Sequence, residues 1–158
     1  MKQTFHYIDL TYLNSIADNN QEIIKELIEI FIDQVPEFTD GLLKSFSLND
    51  WNQVAAIAHK AKSSVISMGM NETGNHDLKN LELLAKMKRI KLLENMPLRD
   101  EKTNEELNKL MANLNGYPED RIKWVTENDK EDTIKEIIDK FVSTCEHAVQ
   151  ELNMVLEN

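Results

Sequence analysis

Apolar residues recur at helical spacing along most of the chain, and the capping residues between them divide it into successive helices. Asp9 can cap a short entry helix with Leu10, Leu13, Ile16 and Ala17 on one face, and Ile8 and Leu13 are placed as a hydrophobic staple. Asn19 and Glu22 read as the next capping box. After them Ile24, Leu27, Ile28, Phe31, Val35, Phe38 and Leu42 hold one helical phase across Pro36, which predicts a kinked or locally broken helix in one direction. Asp50 with Gln53 forms a further capping box, and Gly69 can take positive φ past the last turn, so a helix is predicted over 51–68. The polar stretch 71–75 contains Gly74 and reads as a short connection or a frayed first turn. A helix over 75–95 follows, with Leu78, Leu81, Ala85 and Leu92 on one side and Leu83, Met87 and Ile90 nearly opposite. Beyond Pro97, Thr103 and Glu106 make a capping box for a helix carrying Leu107, Leu110, Met111 and Leu114 and ended by Asn115-Gly116. Pro118, as a first helical residue, starts a short helix with Ile122 and Val125. The last helix runs from about position 133 and sustains a stripe from Ile134 to Leu156 that includes Phe141 and Cys145. Two opposite stripes on one helix need cover on both sides, so Leu83, Met87 and Ile90 are expected beneath Leu107, Leu110, Met111 and Leu114.

The helix over 51–68 is unusual on its outer side. Trp51, Val54, Ile57, Ala58, Ala61, Val65 and Met68 form its core face, which leaves Asn52, Ala55, Ala56, His59, Ser63, Ile66 and Met70 outward. A solvated helix face normally carries Glu, Lys, Gln and Arg. Here small and apolar residues surround one imidazole, Lys60 and Lys62 flank it, and no acid lies between Asp50 and Glu72. Such a face suits a covering partner. The alternative is an Ala-rich helix with a stray surface histidine.

Composition sharpens this picture. With 158 residues the chain is long enough for one substantial core, and its 4 Gly, 3 Pro and few aromatics favour an all-α fold. The net charge of −10 argues against affinity for nucleic acid or an anionic membrane. A lone cysteine cannot form an internal disulfide, no apolar run is long enough to span a membrane, and the start Met-Lys-Gln-Thr-Phe-His-Tyr has no apolar signal core, so a cytoplasmic monomer is expected. Cys145 sits in the apolar stripe as a small hydrophobe, and His6, His76 and His147 read as surface histidines without partners. No helical metal-ligand spacing and no Gly-rich phosphate loop is present, so neither metal nor cofactor is expected. The run Lys86-Met-Lys-Arg-Ile-Lys91 reads as a salt-bridged face.

Ala58-His59-Lys60-Ala61-Lys62-Ser63-Ser64 with Gly69 resembles the Ala-His-x-Leu-Lys-Gly-Ser pattern and following Gly of histidine-containing phosphotransfer (HPt) domains. The Asp-Leu-x-x-Leu entry at Asp9, the proline inside a long helix and the Asp-Trp before the histidine helix are similar too, so the likeness covers about 7–86 and resumes in the last helix. The resemblance implies a four-helix bundle of HPt type with a short N-terminal helix, in a single domain over 1–158. It further implies a phosphorelay intermediate rather than an enzyme: His59 accepts a phosphoryl group from a receiver-domain aspartate and passes it on, and Lys62 offsets the phosphate's charge, with Ser63 beside them. The expected partners are receiver domains of hybrid histidine kinases and response regulators, docking on Asn52, Ala55, Ala56, Lys60, Ile66 and Met70, with Mg²⁺ carried by the receiver. The other reading is an adaptor that docks such domains without being phosphorylated. The chain departs from the pattern at Ser63, where the family has Gly, at Ala61, where it has Leu, and in a helical insertion over 87–132 before the last bundle helix. That insertion is expected either to extend the bundle or to offer a second partner surface.

Overall fold

The computed structural model describes residues 4–158, so the reading of the chain's start falls in part, at Met1, Lys2 and Gln3, outside the described residues. Among the described residues all regular structure is helical: α1 (Thr11–Ile16), α2 (Gln21–Ser47), α3 (Trp51–Ser67), a π-helical segment (Thr73–Leu78) that runs directly into α4 (Lys79–Glu94), α5 (Glu101–Asn115), α6 (Glu119–Asn128) and α7 (Glu131–Glu157). Helices α2, α3, α4 and α7 close a ring, each packed on the next and α7 back on α2, so the architecture is a helical bundle. Helices α5 and α6 lie against α4. No described helix is long and apolar enough to cross a membrane.

The apolar periodicity decides what is buried. Ile24, Ile28, Phe31, Val35, Phe38 and Leu42 of α2 face Trp51, Val54, Ala58, Ala61 and Val65 of α3 and the α7 row Ile134, Ile138, Phe141, Cys145, Ala148 and Leu152 in one connected core. The break allowed for at Pro36 does not occur, since α2 is continuous through it. Pro36 lies on the exposed side, and packing of the core stripe before and after it holds the helix in one piece. Several caps shift by a residue or more. Asn20, not Asn19, accepts the amides of Glu22 and Ile23, because Asp18 and Asn19 take left-handed φ values in the preceding turn. Asp100 rather than Thr103 caps α5, accepting the Thr103 amide at 2.7 Å, and Pro118 stands before α6 instead of inside it.

Two close approaches fix how α3 meets its neighbours. Gly69 has φ +79°, and a Cβ there would lie 2.3 Å from the Asp9 carbonyl, so the N-terminal lead crosses the end of α3 only over a glycine. The Asp9 amide donates to the Met68 carbonyl at that crossing. A Cβ on Gly74 would lie 2.5 Å from Ile66 Cγ1 and 3.1 Å from the Lys62 carbonyl. The stretch 71–75 is therefore helical where a connection was expected, because packing against α3 overrides the weak local propensity of a polar, Gly-containing segment.

The second stripe of α4 is covered as expected in the main. Leu83 and Ile90 are buried and Met87 is half-buried, while Leu107 and Leu114 of α5 and Val125 of α6 are buried in the same core. Two positions differ from the sequence reading: Met111 is 41% exposed and Leu92 is 44% exposed, and Leu93 is buried in place of Leu92. In the entry helix only Leu13 and Ala17 are buried, and Ile16 stays 54% exposed because six residues make less than two full turns of contact.

Candidate functional site

Asp50 caps α3 through the Gln53 amide, and the small residues Ala55, Ala58 and Ala61 let the helix lie close to its neighbours. His59 points away from the core, with its side chain 70% exposed. Its Nδ1 lies 3.1 Å from Oε1 of Glu82 on α4, a carboxylate that is 2% exposed. Sequence reading missed Glu82. The signal was a lone acid within the apolar run Leu78, Leu81, Leu83, Leu84, Ala85 of a buried helix, a place where an ionised group persists only if paired.

Two side chains pair with this acid, His59 and Lys86. Lys86, one turn on, donates from Nζ to Glu82 Oε2 at 3.0 Å. Burial alone would raise the Glu82 carboxyl, but hydrogen bonds from Lys86 and His59 and the charges of Lys86 and Lys79 outweigh it and hold the carboxyl below its usual value. Glu82 is thus an anion at neutral pH, and an anion can only accept the hydrogen bond from Nδ1. Neutral His59 then carries its proton on Nδ1, and the lone pair sits on the outward nitrogen, Nε2. The same shift predicts an acid limb of stability. The unfolded group, at its ordinary value of 4.5, takes up a proton more readily than the folded one, so stability present above that value is lost as pH falls through the lower folded value. Glu82→Gln should flatten this part of a melting-temperature profile, on the acid side of 4.5. An unchanged profile would show that Glu82 is not held as described.

The other expected site residues divide. Lys60 and Ser63 are exposed on α3, Lys62 is half-buried, the Ser63 hydroxyl donates to the Lys60 carbonyl at 3.3 Å, and neither lysine ammonium has a hydrogen bond or ion pair among the described residues. Ala56 is exposed, and with Lys60 it borders a shallow groove of about 290 Å³ between α2 and α3. Ala55 and Met70, expected outward, are 8% and 3% exposed. The reason for Ala55 is that α3 packs most tightly on α4, which widens its buried arc; Met70 follows the Gly69 turn back inward. Ile66, also expected outward, is half-buried, since it packs over Gly74. Asn52 is exposed but engaged, donating to Glu106 of α5 at 3.2 Å. An apolar surface that the sequence reading left unassigned adjoins α3 on the α2 side. Ile16 and Ile30, each 54% exposed, flank a groove of about 150 Å³ that Ser64 and Ser67 also line.

The basic run is salt-bridged, as its setting implied. Arg89 makes two hydrogen bonds to Glu106, Lys91 pairs with Asp129, and Lys88 lies over the Trp51 ring. Lys86 is the exception in role, since it belongs to the His59 cluster. The rings of His76 and His147 are not partnerless, which corrects that expectation for these two, and His6 is engaged through its backbone amide. His147 stacks on Tyr7 at 4.9 Å, the His6 amide donates to Glu151, and His76 Nδ1 lies 3.0 Å from Asp77, which also pairs with Lys140. Cys145 is fully buried, and burial, with the neighbouring charge of Glu146, pushes its thiol up to about 12. Native protein should therefore resist a thiol reagent at pH 8 and react fully only when unfolded, which titration with a chromogenic disulfide would check. No group of His, Cys, Asp and Glu among the described residues is arranged to hold a metal ion. Comparison with the known protein families gives no match, and neither a curated protein nor a solved structure matches the chain.

Proposed function

We propose that the protein is an HPt-type phosphocarrier in which His59 receives a phosphoryl group from a receiver-domain aspartate and returns it to another receiver. The observation that carries this reading is the His59–Glu82 pair: an exposed imidazole whose inner nitrogen is held by a buried carboxylate, leaving Nε2 outward as the nucleophile. In the transfer the Nε2–P bond forms as the P–O bond of the aspartyl phosphate breaks, and the aspartate leaves as carboxylate. The Nδ1 proton stays on the ring, where Glu82 offsets the positive charge that develops there. Lys62, three residues along the same helix face and without an ion-pair partner among the described residues, meets the phosphate's charge in this reading. The receiver brings its own Mg²⁺ and aspartate, so an open convex face is sufficient on this side.

The docking face is narrower than the sequence implied and extends in another direction. Ala55 and Met70 are buried, so Ala56, Lys60 and Ser63 remain from α3, continued by Ile16 and Ile30 across the α2 side. Ala56→Glu and Ile30→Glu are each expected to weaken receiver binding at least tenfold, since a charge would have to be desolvated at the contact, with melting unchanged. Titration calorimetry with a receiver domain checks this, and undiminished affinity in both would place docking elsewhere. Ile66→Glu, in contrast, should lower stability, because Ile66 covers Gly74. Incubation with a phosphorylated receiver domain and Mg²⁺ tests the function. Phosphate that becomes alkali-stable and acid-labile on this chain supports the phosphocarrier, whereas binding without any transfer supports an adaptor.

A further inference from the structure

The insertion before the last bundle helix reaches the His59 site through two residues. Lys86 Nζ, besides holding Glu82, donates to Asn113 Oδ1 of α5 at 2.9 Å, and its side chain is 20% exposed. Lys79, whose charge also acts on Glu82, donates to the Tyr117 hydroxyl just beyond α5 and lies 4.6 Å over the Tyr117 ring. Lys79 and Lys86 are seven residues apart on α4 and so share an edge of that helix, where Asn113 in the last turn of α5 and Tyr117 just beyond it supply the two acceptors. Both cations that neutralise Glu82 are thus held by the inserted segment.

We infer that Asn113 is a positioning residue for His59, with Tyr117 in a lesser part through Lys79: the insertion holds Lys86, the Lys86 bond fixes the Glu82 carboxylate, and Glu82 fixes which imidazole nitrogen is free to react. The inference rests on His59 being the phosphoacceptor, and it gives the insertion a part in the chemistry that neither bundle extension nor a second docking surface would give it. The physical chain is short. Glu82 is buried, and the Lys86 bond to Oε2 sets the carboxylate's rotation so that Oε1 faces His59. A long ammonium side chain without a second anchor has many rotamers open to it, and water competes for its donors. If Lys86 swings out, Glu82 loses both its rotational lock and its compensating charge, and the bond to Nδ1–H weakens. The ring then returns toward the Nε2–H tautomer, in which the outward nitrogen carries a proton in place of the lone pair.

Imidazole ¹⁵N–¹H correlation spectra at pH 8 test this on the full chain without any phosphate. In the parent, His59 should be mostly Nδ1–H. Asn113→Leu, which removes the acceptor while keeping the branched side-chain skeleton, should raise the Nε2–H to Nδ1–H ratio at least threefold and slow phosphorylation by phosphoramidate in proportion to the Nδ1–H population lost. Asn113→Asp keeps an acceptor for Lys86 and should restore both. Tyr117→Phe leaves the ring in place and should move the ratio the same way by a smaller amount, which keeps the test usable if the leucine variant folds poorly. An unchanged tautomer ratio in folded Asn113→Leu and Tyr117→Phe overturns the coupling. Loss of the phosphoacceptor reading would look different: the ratio would respond as stated while phosphoramidate labelled no residue at position 59.

Discussion

His59→Gln is expected to abolish phosphoryl acceptance, below one part in a hundred of the parent, while the melting temperature stays within about 2 °C. The two halves of this result have separate causes. Glutamine has no nitrogen lone pair basic enough to attack phosphorus, so no slower version of the same reaction survives. Its side-chain amide can still donate a hydrogen bond to Glu82, so the buried carboxylate is not orphaned, and the side chain at this position is 70% exposed and outside the core. Labelling with phosphorylated receiver and a thermal melt on the same preparation check both halves. Retained labelling would move the chemistry to His6, His76 or His147. A large loss of stability would mean that the histidine serves mainly to satisfy Glu82.

The bundle was legible in the sequence because its signals are local and redundant. In α2 and α7 every turn repeats an apolar residue on one face, and that phase alone selects the buried rows. His59 was legible for the same reason, as the polar exception on the far side of a helix whose other face is apolar. What was not legible depends on contacts between distant segments. Glu82 is 23 positions from His59, and nothing in a linear pattern pairs an acid on one helix with an imidazole on another. The Asn113 and Tyr117 contacts belong to an insertion whose placement follows from packing on α4 alone. Burial of Ala55 and Met70 escaped because helical phase gives the direction of a side chain but not the width of the contact it meets, and α3 is pressed between α2 and α4. The helical start of α4 was hidden likewise: Gly74 reads as a breaker, yet its missing side chain is what lets the segment pack against Ile66.

The other large effect concerns the cover that α5 and α6 give to α4. Leu83→Asp should destabilise the fold by about 3–5 kcal/mol, since it places a carboxylate without a partner where the side chain is wholly enclosed. For a chain of this length that corresponds to a fall of roughly 6–20 °C in melting temperature. Leu92→Asp, on the same helix but 44% exposed, should stay within about 0.5 kcal/mol of the parent. Differential scanning calorimetry of the pair separates a structural insertion from an exposed partner surface, because an exposed surface would make the two substitutions alike. Well below its midpoint, Leu83→Asp should still accept phosphate on His59 but several-fold more slowly, as loosening α5 also frees Lys86. Rates equal to the parent would show that the insertion supports the fold without reaching the site.

The atom that takes the phosphate is the central question. Phosphorylation of the intact chain by a phosphorylated receiver domain with Mg²⁺, followed by peptide mapping and ³¹P and ¹⁵N spectra, identifies that atom. With Nδ1 held 3.1 Å from Glu82 and Nε2 turned outward, the phosphate should appear on Nε2 of His59. Phosphate on Nδ1 of His59, on another histidine, or on no residue of the chain would contradict the account.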